Sequence, residues 1–332
     1  PWNPRNRRRA PPIAARSAGA MAVQLGPIVE LFDSNDRDNS AASYRNYRHQ
    51  PTIVRDPISG DLVAVHRAGG SHSGHTDAVA VIRSGNEGLS WSDRRTEVTI
   101  ADNILWQEIE AISAPGRTGE PNRLWLSGTD VDVDAPIAVP SRECWTIVSD
   151  DGGVSWVSPN PTFVRPSDPR KTFNVPRPGS NFTTCTANTG VFTASDGTTL
   201  LMPAYGNDVG QTRYVAWMFR STDGGLTWTV GSTIADHGPT GTRQYEEPGC
   251  LRRPGTATVY CLLRVDNDPP SGVDPNRGTV FFVTSLDDGA TWSAPVAVFQ
   301  GRGTTPLVLL TNGTLVAMNR SRGTGVYGAT EG

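Results

Sequence analysis

Short apolar runs, most of them four or five residues long, recur along the chain and are separated by turns that contain glycine or proline. Runs of this length between turn residues are typical of β-strands, whereas helices show a longer apolar periodicity. We therefore predict pairs of antiparallel strands joined by turns. The five predicted pairs are 51–54 with 62–65, 110–112 with 123–126, 189–193 with 200–203, 248–251 with 259–263, and 306–310 with 315–318.

A polar pattern, Ser-x-Asp-x-Gly-x-x-Trp, follows each of the first four pairs. The copies begin at Ser84, Ser149, Ser221 and Ser285, and the first carries Asn86 in place of the Asp. An Asp or Asn side chain closes a tight turn on its own backbone, Gly supplies a positive φ, and Trp packs a large apolar face. The pattern returns after 64 to 72 residues, which indicates a repeat architecture. We therefore predict that each copy is the turn between the third and fourth strands of a repeated four-stranded unit.

The four copies resemble the Asp-box, or BNR repeat, of the sialidase superfamily, over roughly residues 44–332. The resemblance implies an all-β fold, a six-bladed β-propeller of the sialidase type with four antiparallel strands in each blade. The chain begins five units and completes four, so about five blades are expected in residues 26–332, with the ring truncated at its C-terminus. Residues 1–25 are basic and rich in proline, and are expected to form a disordered arm or to lie upstream of a true start at Met21.

Charge and composition argue against several classes of function. The net charge of −3 gives no basis for binding nucleic acid or a membrane surface, and no run of 18 apolar residues predicts a membrane-spanning helix. No signal peptide is visible, and only the resemblance points to a secreted or cell-surface location. The oligomeric state is left open. Cys250 and Cys261 flank the turn at Pro254 and Gly255 almost symmetrically, so a disulfide across this hairpin and two free buried thiols are both compatible with the sequence.

The resemblance also implies a substrate-binding site in the loops at one end of the propeller. Members of the superfamily hold the carboxylate of the sugar with three arginines, use an Asp as acid and base, and use a Glu to activate a tyrosine nucleophile. Guanidinium groups suit the first task because they bind a carboxylate bidentately and stay charged. In unit one, Arg67 and Asp77 match an arginine and the acid/base Asp of the family. In unit four, Glu247 and Arg264 match its Glu and second arginine, with Glu246 as the competitor for the Glu role.

Two further arginines are assigned with alternatives. Arg48 matches the first arginine of the family, although the motif around it carries one extra residue, and Arg45 is the alternative. Arg322 is expected to be the third arginine, with Arg320 as the alternative. Tyr327 follows too closely after them to be the nucleophile, which is therefore expected in a sixth blade. The chain as given is accordingly expected to be inactive.

No metal and no cofactor are expected. His66, His72 and His75 lie close together after the second strand of unit one, but the family needs no metal for this chemistry. The two remaining histidines offer no ligand spacing.

The implied function is that of a retaining, exo-sialidase-like glycoside hydrolase. It would cleave terminal sialic acid or a related acidic sugar from glycoconjugates, so the expected partner is a sialylated or other acidic glycan. The alternative is a non-catalytic propeller of the sialidase fold that binds carbohydrate or a protein partner, since a fold does not fix a function.

Overall fold

The strands of the computed structural model follow the order of the predicted hairpins. The structure describes residues 47–56, 58–69, 76–91, 96–104, 110–115, 122–131, 142–157, 164–165, 168–172, 182–187, 190–208, 214–236, 243–265, 278–301 and 305–317. For residues 47–51, 66–69, 76–80, 96–104, 110–115, 122, 128–131, 142–145, 164–165, 168–172, 182–187 and 207–208 it describes the backbone alone. The arm predicted over residues 1–25 lies outside these ranges.

The described residues form twenty β-strands and no helix. Accordingly, they include no helix that could cross a membrane. The strands are β1 (Tyr47–Arg55), β2 (Leu62–Gly69), β3 (Thr76–Ser84), β4 (Thr96–Ile104), β5 (Glu110–Pro115), β6 (Asn122–Val131), β7 (Arg142–Ser149), β8 (Val164–Arg165), β9 (Asp168–Thr172), β10 (Phe182–Ala187), β11 (Phe192–Thr193), β12 (Leu200–Asp208), β13 (Val215–Ser221), β14 (Thr229–Ala235), β15 (Glu246–Arg252), β16 (Val259–Val265), β17 (Thr279–Ser285), β18 (Val296–Gln300), β19 (Leu307–Leu309) and β20 (Leu315–Ala317).

These strands form repeated antiparallel units, which we call blades one to five. Blade one is β1-β2-β3-β4 and blade four is β15-β16-β17-β18, each paired in chain order. Blade two is β5-β6-β7, with β9 pairing at β7, and β19-β20 opens blade five. One parallel pair, Thr184 with Arg142, also joins β7 to β10 of blade three. In blade three β12, β13 and β14 pair in order, and both β10 and β11 pair with the inner side of β12. Four of the five predicted hairpins are therefore confirmed, and the third is confirmed only where residues 192–193 pair with 200–201.

Two strands differ from the sequence prediction. The inner strand of blade three was expected at 189–193, but the structure places most of it earlier, in β10, and leaves only the two-residue β11 in the expected run. Half of residues 182–187 are threonines and the segment contains no apolar run, so apolar patterning does not reveal it. After the second Ser-x-Asp-x-Gly-x-x-Trp copy, a single bridge between Val148 and Val157 and the short β8–β9 hairpin replace the long fourth strand that was expected.

The inner strands of successive blades contact one another in order. The contacts join β1 to β5, β5 to β11, β11 to β15, and β15 to β19. Blades that meet along their inner strands surround a common axis, which is the arrangement of a β-propeller. The predicted fold class, an all-β propeller, is confirmed, whereas the total of six blades and the boundary at residue 26 stay predictions.

Three of the four Ser-x-Asp-x-Gly-x-x-Trp copies, called boxes from here on, pack against the blade that precedes them. Trp156 of box two lies in one core with Val63, Val65 and Val81 of blade one. Trp228 of box three packs edge to face on Trp125 of blade two, with ring centroids 6.5 Å apart.

Box four continues the pattern. Trp292 packs against the core that joins Met218 of blade three to blade four. The prediction that each box Trp sits between its own turn and a neighbouring blade is confirmed for these three copies.

Hydrogen bonds inside the boxes explain why the pattern needs Ser and Asp. In box four, Ser285 Oγ accepts from the Gly289 N–H at 2.8 Å, and Asp287 accepts from the N–H and the hydroxyl of Thr291 at 2.8 and 2.6 Å. These bonds, led by the one from the Thr291 hydroxyl, lower the pKa of Asp287 to about 2. In box one, Asn86 likewise accepts from the Ser90 N–H at 2.9 Å, and its amide donates to the Ser90 hydroxyl at 2.8 Å.

Candidate functional site

Register shows that the boxes and the predicted site residues lie at opposite ends of a blade. In blade four, Val259 pairs with Ser285 of the box, whereas Arg264 pairs with Val280. Five residues of strand separate the two pairs, which corresponds to about 17 Å. The box carboxylates are therefore far from Arg264, as predicted for structural turns.

The boxes of neighbouring blades lie at the same end. Gly153 of box two faces Val63 and Val81 of blade one, and Val63 pairs with Arg83, the residue directly before box one. Gly225 of box three faces Trp125, which pairs with the residue directly before box two. The ends away from the boxes therefore share one side of the described blades, which we call the site end.

Glu247 and Arg264 form an ion pair at the site end of blade four. Nη1 of Arg264 donates a hydrogen bond to Oε1 of Glu247. The Glu247 side chain is 6% exposed and that of Arg264 is 19% exposed. A charge buried to this extent is stable only when it is paired, so either partner depends on the other.

A β-bulge brings the two side chains together. Glu246 pairs with Arg264 and Gly249 pairs with Leu262, so Glu247 and Pro248 together lie opposite one residue of β16. Glu247 adopts a left-handed conformation, with φ of 44°. The first position of such a bulge is usually glycine, because a side chain there is strained.

Glu247 stands apart from the other non-glycine residues with positive φ. Among the described residues these are only Glu87 and Asp288, and both occupy the box-turn position where the other two boxes have Gly152 and Gly224. Glu247 lies outside any box and also precedes a proline, which further restricts its backbone. Backbone strain of this kind concentrates at functional sites.

The strand that carries Glu247 is anchored on blade three by aromatic residues. The backbone N–H of Tyr245 donates to the carbonyl of Tyr214 at 3.1 Å, and Tyr214 packs edge-on against Tyr205 at 5.5 Å. The Tyr245 ring meets Phe281 at 5.9 Å, and the Arg243 guanidinium lies 4.7 Å from the same Phe281 ring. The site end of this strand is therefore held from both sides.

The backbone places three further predicted residues at the site end of blade one. Arg48 pairs with Ala68, Arg67 pairs with Val79, and Asp77 directly precedes Ala78, which also pairs with Ala68. Box one begins at the other end of the same strands. Arg48, Arg67 and Asp77 thus lie on adjacent strands within a few residues of one another, and the structure describes their backbone alone.

The remaining candidates lie outside the described residues. These are Arg322 and the alternatives Arg45 and Arg320, together with Tyr327. The structure therefore brings Glu247 and Arg264 into contact and leaves the roles of all six assigned residues as predictions. The bulge and the left-handed Glu247 were not predicted, although Pro248 directly after Glu247 was a signal for an interrupted ladder.

A disulfide joins the two strands that carry this pair. Cys250 of β15 and Cys261 of β16 are direct partners in the ladder, with Cα atoms 4.1 Å apart. Of the two alternatives that the sequence left open, the disulfide across the hairpin is the one that the structure contains.

No group of three or more potential metal ligands occurs among the side chains that the structure describes. His66, His72 and His75 are outside those side chains. The expectation of a metal-free site stays a prediction.

Comparison with known families assigns the repeat. The family model described as a BNR repeat-like domain matches residues 60–298, which is well over half of the chain. The chain belongs to the BNR repeat-like domain family. Among curated proteins, none matches this BNR repeat-like chain significantly.

Solved structures confirm the fold at low sequence identity. The GH93 α-L-arabinofuranosidase of Fusarium graminearum in complex with arabinobiose aligns at 15% identity with a TM-score of 0.60, over 84% of this BNR repeat-like chain and 77% of its own. The α-L-arabinanase of Penicillium chrysogenum, also with arabinobiose, aligns at 17% identity and 0.57, over 82% and 75%. A protein of unknown function from Dyadobacter fermentans aligns at 16% identity and 0.57, over 82% and 74%.

Proposed function

We propose that this chain carries the sugar-binding face of a retaining exo-glycosidase that removes a terminal acidic sugar, sialic acid or a related sugar, from a glycoconjugate. The observation that carries the proposal is the buried Glu247–Arg264 pair on a strained bulge at the site end. The resemblance of the surrounding sequence to the sialidase superfamily supports the same assignment. Glycosidases among the similar solved structures support carbohydrate as the substrate class.

Arginine side chains are proposed to bind the carboxylate of the sugar. Arg264 would act with Arg48 and Arg322, since a guanidinium carries several N–H donors and can serve more than one oxygen acceptor. Arg67 would contact the substrate in the same site. Glu247 keeps the Arg264 guanidinium in place through its ion pair. A held guanidinium loses little entropy on binding, which favours a tight and oriented contact.

Carboxyl groups are proposed to move the protons. Asp77 would donate a proton to the leaving-group oxygen in the first step, and would take a proton from the attacking water in the second. Glu247 would accept the proton of a nucleophilic tyrosine, so that the tyrosine oxygen forms the bond to the anomeric carbon. A neutral tyrosine avoids the repulsion that a carboxylate nucleophile would meet from an anionic sugar.

The similar solved structures favour a second substrate class. Two of them, the arabinofuranosidase and the arabinanase, hold arabinobiose, which is a neutral sugar. The two classes differ in charge. An acidic sugar would accept charge-assisted, bidentate hydrogen bonds from the arginines, whereas a neutral sugar would accept only weaker hydrogen bonds to its hydroxyl groups.

Binding measurements separate the two classes. Isothermal titration with the methyl glycoside of sialic acid, with its uncharged methyl ester and with arabinobiose is expected to give at least roughly tenfold preference for the acid over its ester. Arg264→Lys keeps the charge but loses the planar fork, so it should weaken binding of the acid by about 1–3 kcal/mol. Arg252→Lys is the control, because Arg252 lies on the same hairpin at the box end, where its Nε donates to the Thr193 carbonyl. Arabinobiose binding without acid binding would replace the acidic-sugar proposal by the neutral one.

Turnover distinguishes an enzyme from a binding module. In a protein that carries the tyrosine nucleophile, Glu247→Gln is expected to lower kcat for a fluorogenic sialoside by on the order of 100-fold, because the variant loses the proton acceptor. KM is expected to rise as well, because the variant also loses the charge that holds Arg264 in place. Binding of the sugar with no release of the fluorophore by that protein would leave the non-catalytic binding propeller as the function.

A further inference from the structure

The hairpin that carries the ion pair also carries the disulfide, and the bulge lies between them. From the turn to Gly249 the ladder is regular, and it includes the Cys250–Cys261 and Gly249–Leu262 pairs. It resumes at Glu246, which pairs with Arg264. The one extra residue of β15 is therefore accommodated in the two positions Glu247 and Pro248.

The position of this bulge decides where Glu247 points. If the extra residue moved toward the turn, to the position of Cys250, the pair of Glu246 with Arg264 would extend as a regular ladder and Glu247 would pair with Leu263. Neighbouring positions on a strand face opposite sides of the sheet. Leu263 belongs to the core that faces blade three, so Glu247 would then face that apolar core and lose Arg264.

Such a shift would also relieve strain. Glu247 is left-handed only because it occupies the first bulge position, and a regular ladder would return it to an extended conformation. Relief of this strain thus favours movement of the bulge along β15, unless the strand pairing is fixed on the turn side of the bulge.

The disulfide supplies that restraint. Cys250 is joined to Cys261 within one residue of the last regular pair before the bulge. While that bond holds, the extra residue cannot move past Gly249 toward the turn. We propose that Cys250–Cys261 is a positioning disulfide, which keeps the bulge from moving toward the turn and so holds the Glu247 carboxylate on Arg264. The inference rests on the proposed function only in treating this pair as the site.

The consequence is that the site geometry depends on oxidation of the hairpin. With the thiols reduced, the fold of the other blades is unchanged, because the disulfide links neighbouring strands of blade four alone. Reduction instead weakens the contact between Glu247 and Arg264.

A double-mutant cycle read in two backgrounds tests the proposal. Glu247→Gln, Arg264→Met and the double variant are compared by urea unfolding, first with the disulfide intact and then in Cys250→Ala/Cys261→Ala. With the disulfide, the two sites are expected to be coupled by roughly tenfold or more in the unfolding equilibrium constant, as for a buried ion pair. Without it, the coupling is expected to fall to about twofold or less. Equal coupling in both backgrounds would overturn the proposal.

A control separates positioning from general loss of stability. Gly225→Ala destabilises blade three but leaves the hairpin intact, so the coupling between Glu247 and Arg264 should persist in that background. A coupling lost there as well would show that any weakening of the protein abolishes the contact, and the disulfide would have no special role.

A second measurement covers the case in which the cysteine variant does not fold. The native protein is reduced and hydrogen exchange is followed by mass spectrometry over residues 246–252, with β13 as the internal reference. Exchange over 246–252 is expected to rise at least roughly tenfold while β13 is unchanged, and equal rates before and after reduction would contradict the proposal. The cycle reads the ion pair and the exchange reads the backbone of the strand that carries Glu247, and neither measurement depends on sugar binding. A protein that fails to bind sugar yet shows the disulfide-dependent coupling therefore disproves only the proposed function.

Discussion

Substituting Gly225 by alanine tests whether box three really presses on the preceding blade. Gly225 has φ of 82°, and a Cβ built on it would lie 2.2 Å from Cη2 and 2.7 Å from Cζ3 of Trp125. Trp125 is fully buried and its ring meets Trp228 edge-on, so it has no open side into which to move. The added methyl group must therefore displace the box.

Two separate costs set the magnitude. A side chain in the left-handed region costs about 1–2 kcal/mol, and overpacking a dense core costs about 1–3 kcal/mol. The expected loss in the free energy of unfolding is then roughly 2–5 kcal/mol. Gly255→Ala is the matched control, since Gly255 has φ of 72° but no atom within 4 Å of the added Cβ. It should show the first cost alone.

Urea unfolding followed by tryptophan fluorescence measures both variants. The difference between them isolates the contact with Trp125, provided that the m-value stays constant. Trp125→Phe shortens the ring, so combining it with Gly225→Ala should cost less than the sum of the two single changes. Equal losses for Gly225→Ala and Gly255→Ala would refute the claim that each box is pressed onto the blade before it.

Three further predictions concern the boxes and the seam between blades. Asp287→Ala should lower the free energy of unfolding by about 1–2 kcal/mol with sugar binding unchanged, whereas Asp287→Asn should cost less, because Asn86 makes the corresponding turn in box one. The pKa of Asp287 is lowered to about 2, so its contribution to the free energy of unfolding is complete above about pH 4 and is lost as the pH falls toward 2. The free energy of unfolding should therefore fall less steeply with acid in Asp287→Asn than in the unaltered protein. Identical slopes would contradict this. Arg83→Met removes a guanidinium that binds the buried Asp56 at 2.9 Å and the Gly152 carbonyl of box two at 2.6 Å. Calorimetry should therefore show that the free energy of unfolding falls by about 2 kcal/mol. An unchanged value would mean that the contact between blades one and two does not depend on Arg83.

The repeat and its turns could be predicted because their causes are local. Ser285, Asp287 and Gly289 form hydrogen bonds with one another within five residues, so a short stretch of sequence is enough to predict the turn. The hairpin of β15 and β16 followed in the same way from the apolar runs around Pro254 and Gly255. Residues 182–187 were missed because β10 is defined by its pairing with β12, which a threonine-rich segment without an apolar run does not reveal.

The site was only partly predictable for the same reason. Glu247 and Arg264 were matched by their places at the two ends of a hairpin, and the structure brings them into contact. Which of Glu246 and Glu247 meets the arginine depends on a bulge, and simple alternation along a strand cannot foresee one. The shift of one residue changes the face of everything beyond it, so the decisive detail lay in the pairing of two strands and not in either strand alone.

The direction in which the boxes pack has a consequence for how the protein is made. Box two rests on blade one, box three on blade two, and box four on blade three, so each of these three boxes finds its docking surface in sequence that the ribosome has already released. A nascent chain can therefore add one blade at a time, each templated by the last, without holding an unfinished blade open for later residues. Folding in such a molecule runs in the same direction as translation.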